Sequence, residues 1–302
     1  MRWPALGVSL VPLAGPGASP RFPVPADLWT WWNLAPLLWL PLVVLAALYG
    51  GGIRRLGRRG ERWDAHPAWR AAAFGSGLLV VFAAICSPLD PLALALLSAH
   101  MGQYDLLSTT APPLLLWGRP REPLRAALLS PWTSRFPARW AESARGAGAL
   151  LTQPLVVGLL DVAALFVWHV PIVYQASVQN AVLHTLAQLS FLATGLLFWV
   201  MVRQPGDLAG SAYGQAIVAV VMTSLVSGGF GFVLIVSQSL LYPIYQDRTA
   251  SWGLSPLMDQ QTAGVVLAVL PELVDICPLI WVVLAWVRAE EDAAIRAEQE
   301  GE

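Results

Sequence analysis

Three of the four histidines, His100, His169 and His184, lie in or at the ends of apolar runs. A neutral imidazole can ligate copper or zinc, accept or donate a proton, or hydrogen-bond in either direction. Other polar residues keep helical spacing with them. Gln103 and Tyr104 follow His100 at i+3 and i+4, Ser108 continues that face, and Gln188 follows His184 by four residues. Asp161 lies about two turns before His169, and Asp259, Gln260 and Gln261 stand together at the start of another apolar run. Asp105, Glu272 and Asp275 are further carboxylates inside apolar segments. Such groups are expensive in hydrocarbon, so they turn into a bundle or line a wet cavity. Any one of them is explained by hydrogen bonding between helices, worth ~0.6 kcal/mol on average. Several converging at one depth would instead form a functional cluster. Met101 and Met258 are neighbours of His100 and Asp259 in sequence, but adjacent residues do not share a helical face. Glu272 and Asp275 could serve a proton relay. Neither a nucleophile motif, a zinc-protease motif nor a phosphate loop is present, so no enzymatic activity is expected. Cys86 and Cys277 lack paired spacing and read as small buried hydrophobes.

These residues must be positioned by membrane helices. The 302 residues are 56% hydrophobic and 12% charged, against roughly a quarter charged in soluble proteins. A net charge of -1 gives no case for a nucleic-acid partner. The pattern predicts an all-α, polytopic integral membrane bundle in the lipid bilayer, with seven transmembrane helices at about 28–50, 70–87, 91–116, 152–171, 181–202, 213–240 and 257–287. Gly228, Gly229, Gly231 and Pro271 are candidate break points in the last two. The domain reading is a flexible N-terminal arm over 1–26, a transmembrane domain over 27–288, and an acidic cytoplasmic tail over 289–302.

All 18 basic residues are arginine, and twelve fall in two alternate loops: Arg54, Arg55, Arg58, Arg59, Arg62 and Arg70, then Arg119, Arg121, Arg125, Arg135, Arg139 and Arg145. The positive-inside rule places those loops in the cytoplasm, with the N-terminus outside and the C-terminus inside. His66, in the first of them, reads as a solvated surface residue. His100 then lies roughly 14 Å from the outer end of its span, and His169, His184 and Asp259 come from three other spans in the same outer half.

Several blocks in order carry a resemblance. They are Ser98-Ala99-His100-Met101-Gly102-Gln103-Tyr104 with Ala111-Pro112-Pro113-Leu114-Leu115-Leu116-Trp117-Gly118-Arg119-Pro120, then Trp168-His169-Val170-Pro171, then His184 leading to Phe198-Trp199, and finally Trp252 through Gln261 with Gly264. From about residue 66 to 286 the chain resembles the CtaG-type multi-pass cytochrome c oxidase assembly factors. That resemblance implies a multi-pass protein of the bacterial plasma membrane, cytochrome c oxidase subunits as partners, and a part in copper supply, with His100, His169 and His184 as metal ligands. The family's typical pattern has paired histidines on its third and fifth spans. Tyr104 replaces one here, and Ala187 and Gln188 replace a glutamate and a histidine. Three outcomes stay open: a reduced three-histidine copper site, a docking scaffold without metal, or service to a different oxidase or cofactor. Readings from other classes are a proton, ion or metal transporter using Asp161, Glu272 and Asp275, and a stable accessory subunit of the oxidase.

Overall fold

The computed structural model describes residues 22–60, 64–128, 151–203 and 211–301. Most of the expected N-terminal arm, together with Arg62, Arg135, Arg139 and Arg145, lies outside the described residues. The described residues are helical, with no strand among them. In chain order the helices are α1 (Pro36–Arg58), α2 (Pro67–Cys86), α3 (Leu89–Ala93), α4 (Leu97–Asp105), a π-helical turn (Leu106–Thr110), α5 (Ala111–Trp117), α6 (Arg121–Leu128), α7 (Pro154–His169), α8 (Pro171–Gln179), α9 (Ala181–Arg203), α10 (Ser211–Val236) and α11 (Pro256–Gly301). Among the described residues, five helices are long and apolar enough to cross a membrane: α1, α2, α9, α10 and α11. A sixth appears when α7 and α8, bent by 73°, are taken as one span.

The expected third span, 91–116, is not one regular helix. It begins with the short α3, passes through an extended Leu96, restarts as α4 and widens into the π turn before α5. Pro112 and Pro113 account for the widening. They lack the N–H groups that would bond the carbonyls of Ser108 and Thr109 four residues back, so the regular ladder cannot continue there. α9 uses the irregularity: a Cβ on Gly195 would sit 2.3 Å from the Ser108 carbonyl oxygen, so glycine alone allows this approach. The expected fourth span ends at His169, where Val170 is extended, as a residue before proline prefers, and α8 leaves at an angle from Pro171.

The glycines and proline expected to interrupt the last two spans do not. α10 and α11 run unbroken through Gly228, Gly229, Gly231 and Pro271. Gly231 instead brings α10 against α11: a Cβ there would lie 2.7 Å from the Gly264 carbonyl, and one on Gly264 would lie 2.5 Å from the Gly231 carbonyl. Such backbone-to-backbone packing suits helices that gain little from apolar burial in lipid. At 46 residues, α11 is ~69 Å long, more than twice a ~30 Å hydrocarbon core, so its acidic last turns are solvent-exposed helix.

The bundle has two chemically distinct ends. At one, Arg55 donates to the carbonyls of Ala126 and Ala127 at 3.1 and 2.6 Å, and Asp64 pairs with Arg70 and Arg119 at 3.0 Å each. The Asp64 carboxyl is held below the usual carboxylate range, first by the His66 backbone N–H and then by Arg70 and Arg119. Arg203 donates to the Leu116 carbonyl, and the Tyr49 hydroxyl to the Gly118 carbonyl at 2.6 Å. The histidines occupy the other end.

Candidate functional site

The histidine end is organised by a carboxylate that carries no motif. Asp90 sits in α3, 1% exposed, between Pro88 and Pro91. Its Oδ1 accepts from Gln188 Nε2 at 2.6 Å, Gln103 Nε2 at 2.9 Å and His184 Nε2 at 2.9 Å, while Oδ2 accepts from Asn33 Nδ2 at 3.3 Å. Three helices, α3, α4 and α9, and the non-helical segment at Asn33 thus meet on one side chain. Gln103 also donates to the Ala84 carbonyl at 2.7 Å, tying α4 to the end of α2.

The three histidines gather beside this network. The rings of His100 and His169 have centroids 5.6 Å apart, and those of His100 and His184 are 6.4 Å apart. Tyr174 from α8 packs edge-on to His100 at 4.9 Å and stacks with His169 at 5.7 Å. Tyr104 meets His169 at 6.0 Å and Phe191 at 4.8 Å. His169 Nδ1 lies 2.7 Å from the Leu165 carbonyl, an acceptor only, so that nitrogen carries the proton and Nε2 keeps its lone pair. His184 Nε2 lies 2.9 Å from both Asp90 Oδ1 and Gln188 Nε2; donation to the carboxylate leaves Nδ1 as the nitrogen with a lone pair. His169 Nε2, His184 Nδ1 and His100 Nδ1 are buried and have no partner.

An imidazole fixed by a hydrogen bond through one nitrogen, with the other left open, is the form in which proteins commonly present histidine to a metal. The donor chemistry therefore fits copper. Convergence does not follow from it: among the described residues, no three His, Cys, Asp or Glu side chains are placed to hold one ion. Met101 is buried in the apolar core and Met258 is exposed.

Not every residue expected in the cluster joins it. Asp259 instead caps α4 from α11, its carboxylate accepting the Leu97 N–H at 2.6 Å and the Ser98 N–H and hydroxyl at 3.2 and 2.5 Å. Leu96 precedes α4 without a side-chain cap, so Asp259 satisfies those open amide donors at the positive end of the helix. Gln260 accepts from the Leu241 N–H at 2.8 Å and donates to the Ser239 carbonyl at 3.1 Å, pinning the connection after α10. Asp161 lies elsewhere, lining a cavity with Asp275 on the arginine side of Tyr104.

Tyr242, Tyr245 and Arg248, which the sequence did not single out, close the histidine end. Tyr242 donates to the His169 carbonyl at 2.7 Å. The Tyr245 hydroxyl donates to the Ala93 carbonyl at 2.7 Å and lies 2.7 Å from the Tyr174 hydroxyl. Arg248 donates to the Leu94 carbonyl at 2.6 Å, with its guanidinium 4.0 Å from the Phe22 ring centroid. These phenol and guanidinium groups recur at a spacing of three residues, but they lie in a connection between apolar runs rather than inside one.

A bundle of several helices long and apolar enough to cross a membrane, with a buried histidine and carboxamide centre at one end, defines a multi-pass membrane protein. Residues 47–289 match the family described as cytochrome c oxidase caa3 assembly factor, Caa3_CtaG, and the chain belongs to it. It is also 25% identical over 287 residues to an uncharacterized protein of Mycobacterium bovis and to one of Mycobacterium tuberculosis. Each alignment covers 93% of this chain but 43% of the relative, so the chain spans under half the length of these curated relatives. No solved structure matches.

Asp90→Ala should remove the shared acceptor of four carboxamide or imidazole donors, Asn33, Gln103, His184 and Gln188. Thermal unfolding in detergent should show a loss of about 1–3 kcal/mol per orphaned donor, while Met258→Leu on the exposed face should be neutral. An unchanged midpoint for Asp90→Ala would refute the organising role of this carboxylate.

Proposed function

We propose that this chain acts in the membrane to build a haem-copper cytochrome c oxidase, with its histidine end facing outward. The observation that carries the reading is the family match over residues 47–289. It is supported by three buried imidazoles that each keep one nitrogen open. His100, His169 and His184 would hold copper transiently as cargo, and Asp90, Gln103 and Gln188 would fix the imidazole of His184 so that the donor faces the ion. The tyrosines around the rings exclude water. Tyr104 and Gln188, where the family pattern has histidine, hydrogen-bond or pack but are poor ligands for a soft ion, which favours weak, releasable binding. Partner recognition by the same end, through the connection that holds Tyr242 and Arg248, would place the receiving oxidase subunit beside the copper donors.

The bundle spans the bacterial plasma membrane seven times. The helical run from α4 through the π turn to α5 has about 20 residues and reaches ~30 Å, enough for the seventh crossing. Arg54, Arg55, Arg58, Arg59, Arg70, Arg119, Arg121, Arg125 and Arg203 belong to one end and Arg248 to the other, a distribution that under the positive-inside rule supports the arginine end facing the cytoplasm. Alkaline phosphatase fused after Ser87 should be active and fused after Arg59 inactive; the reverse pattern would invert the topology.

Affinity purification of the tagged full-length chain from respiring cells should recover oxidase subunits in substoichiometric amounts. Copper should be present under reducing conditions and reduced in His100→Ala and His184→Ala. Fixed one-to-one recovery with mature enzyme would mark an accessory subunit instead, and copper absent from the unaltered protein would remove the cargo role.

A further inference from the structure

A second polar centre lies on the arginine side of Tyr104, and the oxidase-assembly reading does not use it. A small cavity among α4, the π turn, α7, α9, α10 and α11 is lined by Asp161 and Asp275, with Tyr104, Ser108, Thr223 and Ser227 around them. Ser224 donates to Asp275 at 3.4 Å, and the Thr194 hydroxyl, which donates to the Phe191 carbonyl at 3.4 Å, lies near Asp161. Two observations show that the cavity is not simply a hydrogen-bonded seam between helices. The Ser227 hydroxyl lines it, is 7% exposed and has no partner. Behind it, Asp105 is 4% exposed, has no hydrogen bond to either carboxylate oxygen, and lies within electrostatic reach of Asp275.

The charge balance is one-sided. Tyr104 and Asp105 face the centre from α4, Asp161 from α7, and Glu272 and Asp275 from α11. α9 and α10 contribute uncharged hydroxyls, from Thr194, Thr223, Ser224 and Ser227. None of the four carboxylates is paired with a basic side chain among the described residues. Four carboxylates clustered in hydrocarbon cannot all be ionised without compensation, because desolvation and mutual repulsion both oppose it. A divalent ion would need several of them converging at bonding distance, and no three do so among the described residues. Separated acids joined by hydroxyls around a space fit protons instead.

We propose that this cavity is an exchangeable proton-binding site, in which Asp161 and Asp275 take up and release protons and Asp105 is a third, enclosed acid. The site is distinct from the histidine set and stands whether or not that set holds copper. Tyr104 is the wall between them, 6.0 Å from His169 on one side and lining the cavity on the other.

Dicyclohexylcarbodiimide, which modifies protonated carboxyls in apolar surroundings, provides the test on the full-length chain in lipid nanodiscs. Peptide mass spectrometry should find the adduct on Asp161 or Asp275. Its yield should fall as pH rises, approaching about tenfold per pH unit above the midpoint, and should be the same in sodium chloride as in choline chloride. Infrared difference spectra of the unaltered protein should show a protonated-carboxyl band lost over the same pH range and missing in Asp161→Asn/Asp275→Asn. No adduct at either residue, or a yield and band that do not change with pH, would overturn the proposal. Protection by sodium at fixed pH would also overturn it, by assigning the cavity to a metal cation.

Discussion

In a bilayer interior, a polar group left without a partner has no water to turn to, and the placement of one carboxylate shows how this chain meets that constraint. Asp90 is almost fully enclosed, and it draws Asn33, Gln103, His184 and Gln188 onto its two oxygens. Through Gln103 it fixes α4 against α2, and through His184 and Gln188 it fixes the start of α9. His184 is thereby held with one nitrogen committed and the other open, which is what makes the histidine end a candidate donor site. A second carboxylate does comparable structural work at the same end: Asp259 caps α4 across from α11, so the helix carrying His100 is secured at its start.

Much of this was legible from residue types and spacing. His100, His169 and His184 were expected together and are together, and Gln103 and Gln188 were expected on the faces of their histidines. Asp90 was missed because it lies between two prolines, where the sequence looks like a connection and nothing repeats at helical spacing. Asp259 and Gln260 have the right depth, but they spend their hydrogen bonds on backbone, a distinction that depends on where other helices begin and end. Asp161 has the right span, but two turns separate it from His169, and that places it in the other cavity. The third span showed its apolar length in sequence; its π turn follows from the consecutive prolines at 112 and 113, a local signal that hydropathy averages away.

The two polar centres share a wall, Tyr104, but differ in kind. One is a set of neutral nitrogen donors oriented by hydrogen bonds, chemistry suited to a soft or borderline metal ion. The other is a set of carboxylic acids and hydroxyls with no basic partner among the described residues, chemistry suited to protons. The close α10–α11 packing through Gly231 and Gly264 and the entry of α9 at Gly195 bring these side chains into one bundle. The family match covers both centres, since residues 47–289 include every residue named in them except Phe22 and Asn33.

The central claim is that this chain is needed to make an active haem-copper oxidase, and deletion of its gene tests that most directly. Membranes of the deletion strain should show oxidase polypeptides with sharply reduced activity and copper content, restored by the intact gene. Undiminished oxidase activity with a full copper complement in the deletion strain would contradict the account.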